Sequence, residues 1–346
     1  MSTSFPVLIA DIGGTFTRIA LCETPHSAPR LISKVKTADY PTPYSALQHG
    51  LQDADSIKPK SALLAVAARI STGPVHMTNA AWVIDPEQIG RALALESVRI
   101  VNDFPPIAAL LPQLDPLNEH DVVSLQAPNM SSPWRGDDGP MLVLGPGTGM
   151  GAALLRRIGD HYLIEPTEAG HIEFGASQDD ELALWPYLER HEGRHTAESL
   201  LCGAGLLRLY RGRQQQTRQT IQYEDVAQLT QAALSGEKEA QQTLDLYASL
   251  LGRFAGDLAL VFGATGGVFI AGGIAPRIIP LLQHGAFRRG FETKAPFAEL
   301  MTTIPTYVMT RPDPALSGLA LMARSPDNYW LPGLSWSRST ERTKEL

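Results

Sequence analysis

Residues 7–21 read VLIADIGGTFTRIAL, and this stretch decides the fold. An apolar run ends at Asp11, turns on two glycines, Gly13 and Gly14, and resumes with alternating side chains. That alternation predicts a β-hairpin, two strands joined by a tight turn. Glycines tolerate positive φ and let a ligand approach the backbone, while the Asp11 carboxylate and the Thr15 hydroxyl suit a polyphosphate with its divalent metal ion. An ordinary hairpin with a glycine turn fits the same pattern.

The composition is that of a folded protein with room for about two domains. The chain has 346 residues, 44% of them hydrophobic, so each of two ordinary domains can bury its own core. A formal net charge of -7 and the lack of any lysine or arginine run argue against binding through nucleic-acid phosphates. Polar residues 1–4 lead straight into the first strand, so no secretion signal is predicted. No uninterrupted apolar stretch reaches the length of a membrane span, so none is predicted. Two distant cysteines, Cys22 and Cys202, fit inert thiols in a cytoplasmic protein.

The first 112 residues predict alternating strands and helices, the pattern of an α/β domain. Strands are predicted at 31–36, 61–68 and 98–101, and helices over 44–54 and from 105 to about 111. The run at 61–68 is apolar throughout, which is typical of a strand buried on both faces. Pro112 and Pro116 mark a boundary.

The second part of the chain opens with the same strand, glycine turn and strand. An apolar strand at 141–144 leads into Gly145, Gly147, Thr148 and Gly149, and strand character resumes at 152–156. This repetition predicts two related halves around one cleft. Residues 267–274 predict a short strand that leads into a third glycine turn, at Gly272 and Gly273. Helices are predicted over 181–190, 197–211, 223–234, 237–262 and 315–323. The polar tail from Ser325 is expected to be peripheral, and frayed from Ser337.

Three glycine turns after three apolar strands predict a nucleotide held by backbone N–H groups. Neither common nucleotide fingerprint fits them. There is no G-x-x-x-x-G-K-[ST], which excludes a Walker-type site. The turn that begins at Gly145 reads G-x-G-x-G, without the acidic residue expected further along, which disfavours a dinucleotide-binding Rossmann site.

Polar residues near strand and helix ends are the other candidates for chemistry. Asp103 follows a predicted strand, where it fits either a catalytic carboxylate or a helix N-cap. Glu168 and His171 flank a glycine, and either can be a solvated loop residue instead. Glu198 fits a first-turn acid at a helix N-terminus. A sugar offers several hydroxyls to such acceptors, and phosphoryl transfer needs one carboxylate to take a proton and a metal ion to neutralise the phosphates.

Six segments of the chain, in order, resemble the bacterial glucokinase family of the hexokinase/actin-like ATPase superfamily. They are Asp11-Ile12-Gly13-Gly14-Thr15, Val101-Asn102-Asp103-Phe104, Gly145-Pro146-Gly147-Thr148-Gly149, Glu168-Ala169-Gly170-His171, Glu198-Ser199-Leu200-Leu201-Cys202-Gly203 and Ala271-Gly272-Gly273-Ile274. Together they span positions 7 to 275.

The resemblance implies a role for each of these positions. Asp103 would be the general base for the glucose 6-hydroxyl, and the other sugar hydroxyls would bind Asn102, Glu168, His171 and Glu198. The phosphates of ATP would lie against two hairpins, Asp11, Gly13, Gly14 and Thr15 in the first and Gly145, Gly147, Thr148 and Gly149 in the second. Gly272 and Gly273 would contact adenosine, with Asp11 near Mg2+.

The resemblance also implies an α/β, two-lobed actin-like ATPase (ribonuclease H-like) fold. Each lobe would hold a mixed five-stranded sheet, with the cleft between the lobes closing over glucose and ATP to exclude water. The small lobe would comprise residues 1–112 and roughly 316–346, and the large lobe residues 113–315. A homodimer is suggested by the family alone.

Two features depart from the family pattern. Phe16 stands where the family usually has asparagine, and the tail from about Ser325 is longer than expected. A related branch, the repressor/open-reading-frame/kinase group, has a cysteine-rich zinc motif after its Glu-x-Gly-His. No cysteine lies between Cys22 and Cys202, so that site cannot be built and His171 is left to face the sugar.

The leading hypothesis is therefore a glucokinase that converts ATP and D-glucose to ADP and glucose 6-phosphate. One alternative is a sugar-sensing regulator on the same fold, although the first strand begins too early for a preceding DNA-binding helix-turn-helix and no basic stripe is present. Another is a sugar-independent ATPase, which substantial ATP turnover without sugar would favour.

Overall fold

The hairpin predicted at residues 7–21 forms. A computed structural model describes residues 3–54, 57–77, 80–126 and 139–339. Strand β1 (Val7–Ile12) pairs antiparallel with β2 (Phe16–Cys22), with Ile12 opposite Thr17. On its other side β1 pairs in parallel with β4 (Ser61–Val66), which is buried along its whole length, as its continuous apolar sequence predicts.

The chain divides into two units. The first comprises Met1–Gln113, Leu155–Pro166 and Pro312–Leu346, and the second comprises Leu114–Leu154 and Thr167–Arg311. Each has its own cluster of buried apolar side chains.

The first unit is built on a mixed six-stranded sheet in the order β15–β7–β4–β1–β2–β3. Besides β1, β2 and β4, its strands and helices are β3 (Arg30–Lys36), α1 (Pro43–Leu51), β5 (Val75–His76), β6 (Val83–Ile84), α2 (Pro86–Ala92), β7 (Ser97–Asn102), α3 (Phe104–Leu110), α12 (Pro314–Arg324), β14 (Tyr329–Trp330) and β15 (Leu334–Ser337). Strands β5 and β6 form a separate small hairpin.

Local sequence sets where the helices of the first unit begin. Helix α1 starts with a capping box, in which Thr42 and Ser45 each accept from the other's backbone N–H, and has Pro43 in its first turn. Helix α12 packs on α3 so closely that a Cβ at Gly318 would overlap the Pro106 carbonyl oxygen. The absence of a side chain at Gly318 is therefore what permits this contact.

The second unit contains five strands in the order β10–β9–β12–β13–β8. Its elements are β8 (Val122–Ser124), β9 (Met141–Pro146), β10 (Met150–Ile158, whose last four residues belong to the first unit), α4 (Asp179–Leu184), α5 (Ala197–Leu201), α6 (Gly203–Thr217), α7 (Val226–Leu234), α8 (Lys238–Phe262), β12 (Gly267–Ile270), α9 (Ile279–Leu282), α10 (Ala286–Glu292), α11 (Ala298–Thr303) and β13 (Thr306–Met309). The sheet counts seven strands with β11 (His161–Thr167) and β14, which pair in parallel with Tyr162 opposite Tyr329.

Helix α8 is the longest element of the second unit and matches its prediction closely. Its apolar side chains recur at the helical period, with Tyr247, Leu251 and Phe254 fully buried. It ends where Gly263 takes the left-handed conformation (φ 59°), a common helix stop.

Several predictions about elements were wrong. The sheets have six and seven strands rather than five, because short strands such as β8, β13 and β14 carry too few residues to show alternation. The helix predicted over 197–211 breaks at Cys202, whose backbone is extended (ψ -179°), and the one predicted over 181–190 ends at Leu184. The tail is not peripheral, because β15 pairs with β7 and Trp336 is buried. Fraying is predicted from Ser337, yet Ser337 is the last residue of β15, and residues 340–346 lie outside the described residues.

Candidate active site

Two hydrogen bonds from a threonine that the sequence analysis did not single out stabilise the first glycine turn. Gly13 N–H donates to the Phe16 carbonyl oxygen (3.0 Å). The fully buried Thr37 donates its hydroxyl to Gly13 O (2.7 Å) and its N–H to Thr15 O (3.0 Å). Contrary to expectation, neither Gly13 nor Gly14 has positive φ. Glycine at position 13 instead avoids a tight contact, since a Cβ there would lie 3.1 Å from the Phe16 carbonyl oxygen.

The second glycine turn is held in a similar way. Gly147 N–H donates to Gly149 O (2.8 Å), and Gly203 N–H at the start of α6 donates to Gly147 O (3.0 Å). Thr148 lies exposed at the tip of this turn, as Thr15 does in the first. Gly145, in contrast, is buried at the end of β9.

Each of these two turns leaves a pair of backbone donors available. Within the described residues, the N–H groups of Gly14 and Thr15 make no hydrogen bond, and neither do those of Thr148 and Gly149. Paired N–H donors beside a threonine hydroxyl suit phosphate oxygens.

The third turn lies beside the second. Ala271 N–H donates to Leu144 O (2.8 Å), which continues the parallel pairing of β12 with β9. Gly272 has φ 87°, and a Cβ there would overlap the Pro146 carbonyl oxygen, so only glycine fits. Gly273 is exposed with open space around it. The second and third turns thus share one edge of the sheet.

Asp11 is a partly buried carboxylate paired with a cation. Its Oδ2 lies 3.1 Å from Nη1 of Arg18, which also contacts Asp313 Oδ1 through Nε at 3.1 Å. Burial raises the pKa of Asp11 above the usual carboxyl range, and the charge and hydrogen bond of Arg18 oppose that shift. The Asp11 carboxylate keeps one oxygen outside the ion pair. It therefore fits a magnesium ion that takes most of its ligands from phosphates and water.

Glu198 ties a helix start to the second glycine turn. It lies in the first turn of α5, as the sequence predicts, between the capping-box residues Thr196 and Ser199. Its Oε2 also accepts the N–H of Met150 at 2.8 Å. A Cβ at Gly149 would lie 2.6 Å from the same oxygen, so the carboxylate occupies the space that a side chain would need. One carboxylate oxygen, Oε1, is left for a ligand.

Glu168 and His171 lie in a short turn beside this cluster. Glu168 Oε2 and His171 Nε2 are 3.9 Å apart, and both side chains are about half exposed. A Cβ at Gly170 would overlap the Met150 carbonyl oxygen, which places the turn against the start of β10. Met150 therefore contacts both Glu198 and the Glu168–His171 turn.

Asn102 and Asp103 lie at the start of α3, where the sequence allowed Asp103 to be either a catalytic carboxylate or a helix N-cap. Asn102 Oδ1 accepts the Phe104 N–H (3.0 Å) and its Nδ2 donates to Ala68 O (3.1 Å). Asp103 occupies the N-cap position of α3 without a side-chain capping bond. An N-cap side chain accepts from the second or third helical N–H, and in α3 those positions are Pro105 and Pro106, which have none. Asn102 instead satisfies the N–H of Phe104, and it retains an N–H and a lone pair for a ligand.

Strand register brings the first turn and Asp103 to one edge of the first sheet. Strands β1, β4 and β7 run in parallel, with Ile12 opposite Val66 and Val66 opposite Asn102. Two strand spacings, about 10 Å, therefore separate the ends of β1 and β7. Ligands of open α/β sheets bind at the carboxyl ends of the strands, which is where both groups lie.

Two absences can be stated for residues 3–54, 57–77, 80–126 and 139–339. No three acidic, histidine or cysteine side chains there are grouped as a metal site. None of the helices in these ranges has the length and apolarity that crossing a membrane requires.

Comparison with known proteins agrees with these observations. The glucokinase family profile matches residues 8–326. A curated relative from Sinorhizobium fredii, named glucokinase, is 43% identical over 329 residues, 95% of each chain. The crystal structure of a glucokinase from an Antarctic psychrotroph is 31% identical, with TM-score 0.76 over 92% of this chain and 99% of that one. A Balamuthia mandrillaris glucokinase solved with glucose is 21% identical, with TM-score 0.78 over 92% and 93%. The predicted α/β fold of the actin-like ATPase class is confirmed.

Proposed function

The chain belongs to the glucokinase family, and from that membership we propose that it transfers the γ-phosphoryl group of ATP to the 6-hydroxyl of D-glucose. The products are glucose 6-phosphate and ADP. The observation that carries the proposal is the register of β1, β4 and β7, which aligns a phosphate-type glycine turn with a carboxylate at the ends of parallel strands.

Asp103 takes the proton of the attacking hydroxyl. As the sugar oxygen bonds to the γ-phosphorus, the bond to the β–γ bridging oxygen breaks and ADP leaves. The place of Asp103 at the carboxyl end of β7, at the same sheet edge as the first glycine turn, supports this role. A general base of this kind contributes about 10²–10⁴-fold to the rate.

The remaining polar side chains bind the other sugar hydroxyls. Glu168, His171 and Glu198 offer carboxylate and imidazole groups, and Asn102 offers one N–H and one lone pair. Their support is the contact of Met150 with both Glu198 and the Glu168–His171 turn. Glu198 Oε1 is the oxygen proposed to reach the sugar, because Oε2 is used by Met150.

The two exposed threonine turns bind the phosphates. The N–H groups of Gly14, Thr15, Thr148 and Gly149 donate to phosphate oxygens, and Gly272 and Gly273 leave room for adenosine. Asp11 would hold Mg2+, which neutralises charge on the phosphates when bound. We further propose a cytoplasmic location, since both cysteines are free and buried, and a homodimer, which light scattering would test.

The test is ADP release from magnesium-ATP, measured with D-glucose, D-fructose, D-mannose and no sugar. Turnover that depends on glucose is expected. Equal turnover without sugar would instead indicate an ATPase, and glucose binding without turnover would indicate a sensor. Salt-sensitive binding of the chain to DNA would be the further mark of a regulator.

A further inference from the structure

A small, partly open pocket lies in the first unit, away from the proposed active site. It is formed where β4 and β7 begin, whereas Asn102 and Asp103 lie where β7 ends. Its walls include Leu63, Met322 and Tyr329, which are apolar or aromatic, and the hydroxyl residues Ser61 and Ser97.

One cation lines this pocket, and within the described residues it has no carboxylate partner. Arg99 Nη2 donates only a long hydrogen bond, 3.4 Å, to the Leu331 carbonyl oxygen. Its Nε is buried and makes no hydrogen bond in the part of the chain that the structure describes. Burial alone lowers the pKa of Arg99, without an opposing acidic neighbour. Buried charges in proteins are normally paired, so this guanidinium lacks the partner expected of it.

We propose that this pocket, defined by Ser61, Leu63, Ser97, Arg99, Met322 and Tyr329, binds a small organic monocarboxylate with a short apolar chain. The planar guanidinium matches a carboxylate in charge and geometry. The apolar walls then cover the chain of the ligand. Inorganic phosphate fits less well, because Arg99 is the one cation among the described lining residues and leaves the second phosphate charge without a partner between largely apolar walls. The inference does not depend on the proposed glucokinase activity.

The first experiment uses the wild-type chain and two probes that differ in charge. Hexanoate and hexanamide are titrated while the methyl signal of Met322 is followed by ¹H–¹³C NMR, after assignment with Met322→Leu. We expect a saturable shift with hexanoate, with a Kd on the order of millimolar for so small a ligand. Hexanamide should bind about tenfold more weakly, since charge-assisted hydrogen bonds are the stronger ones. Equal affinities, no shift with either probe, or tighter binding of inorganic phosphate would overturn the proposal.

The second experiment removes the cation. Arg99→Met should abolish the hexanoate shift while circular dichroism shows a folded chain. Arg91→Met is the matched control, because Arg91 lies exposed on α2 and pairs with Glu87, and it should bind hexanoate as the wild type does. Retained binding by Arg99→Met would contradict the assignment. If Arg99→Met does not fold, the contrast between hexanoate and hexanamide in the wild type decides the question.

Discussion

Asp103 lies directly after the last residue of β7, at the start of α3, and its replacement gives the sharpest test of the chemistry. Asp103→Asn keeps the volume and removes the base, so we expect turnover to fall about 10²–10⁴-fold. Glucose binding, measured by calorimetry, should change little. Near-wild-type turnover in this variant would remove Asp103 from the role, and loss of glucose binding as well would make it a ligand rather than a base.

Glu198 is proposed to bind glucose through one oxygen and to position the second glycine turn for ATP through the other. Two substitutions separate these effects. Glu198→Gln keeps an oxygen that can accept the Met150 N–H but loses the charge, so the KM for glucose should rise with little change in the KM for ATP. Glu198→Ala also releases the second glycine turn. Its KM for ATP should therefore rise about tenfold, the usual effect of losing a charge-assisted hydrogen bond. Equal KM values for ATP in the two variants would show that the Met150 bond does not position the turn.

Arg18 favours the ionised form of Asp11, and the proposed role of Asp11 with magnesium-ATP makes this pair testable by pH. Burial raises the pKa of Asp11, and Arg18 opposes this. Arg18→Met should raise the pKa further, so that Asp11 takes up its proton at a higher pH than in the wild type. If ionised Asp11 holds magnesium-ATP, the acid limb of kcat/KM for ATP must move to higher pH. Arg91→Met serves as control, and an unmoved limb in Arg18→Met would exclude Asp11 from metal binding.

At the scale of single residues, the sequence indicated the candidate side chains but not their supports. Motif spacing selected Asp103 and Glu198, because these residue types follow predicted strand and helix boundaries. Thr37 lies 24 residues from Gly13, to whose carbonyl oxygen it donates a hydrogen bond. Met150 contacts Glu198 and the Glu168–His171 turn through its backbone N–H and carbonyl oxygen. No local pattern marks contacts of this kind, since they arise only when the strands are in register.

The tail shows how an element can be misjudged from its composition. Residues beyond Ser325 are polar, yet β15 adds a strand to the first sheet, and the Trp336 ring lies against Gly90 of α2 where a Cβ would collide with it. We expect Trp336→Ala to lower the free energy of unfolding by about 3–5 kcal/mol, as for other large core truncations. Trp330→Ala, at an exposed tryptophan of the same tail, should cost far less. Equal losses in urea titrations would mean that Trp336 is not part of the core.

Elements with strong periodicity were predicted well and short ones were not. The first hairpin and α8 follow from alternating and helical spacing. The break at Cys202 does not, because Ala197 to Arg211 is periodic throughout. At the break, Gly205 packs against the Leu200 backbone so closely that a Cβ would collide with it, so glycine permits this junction between α5 and α6. The break also leaves the Gly203 N–H to bond Gly147 O.

Across the whole molecule, the two buried clusters are built from different parts of the chain, the first around Trp336 and the second around Phe254. Repeated strand, glycine turn and strand motifs allowed two halves to be predicted. The return of the tail to the first unit could not be predicted from the tail itself, because nothing in its composition marks it.

Separate cores should unfold as separate cooperative units. We expect urea titrations to show two transitions, with Trp336→Ala lowering the midpoint of one and Phe254→Ala that of the other. Each variant leaves the other cluster intact, so each serves as the control for its counterpart. Near-ultraviolet circular dichroism distinguishes the transitions in both variants, because Trp82 lies in the first cluster and Trp185 packs against the second. A single transition that both variants shift equally would show that the two clusters behave as one cooperative core.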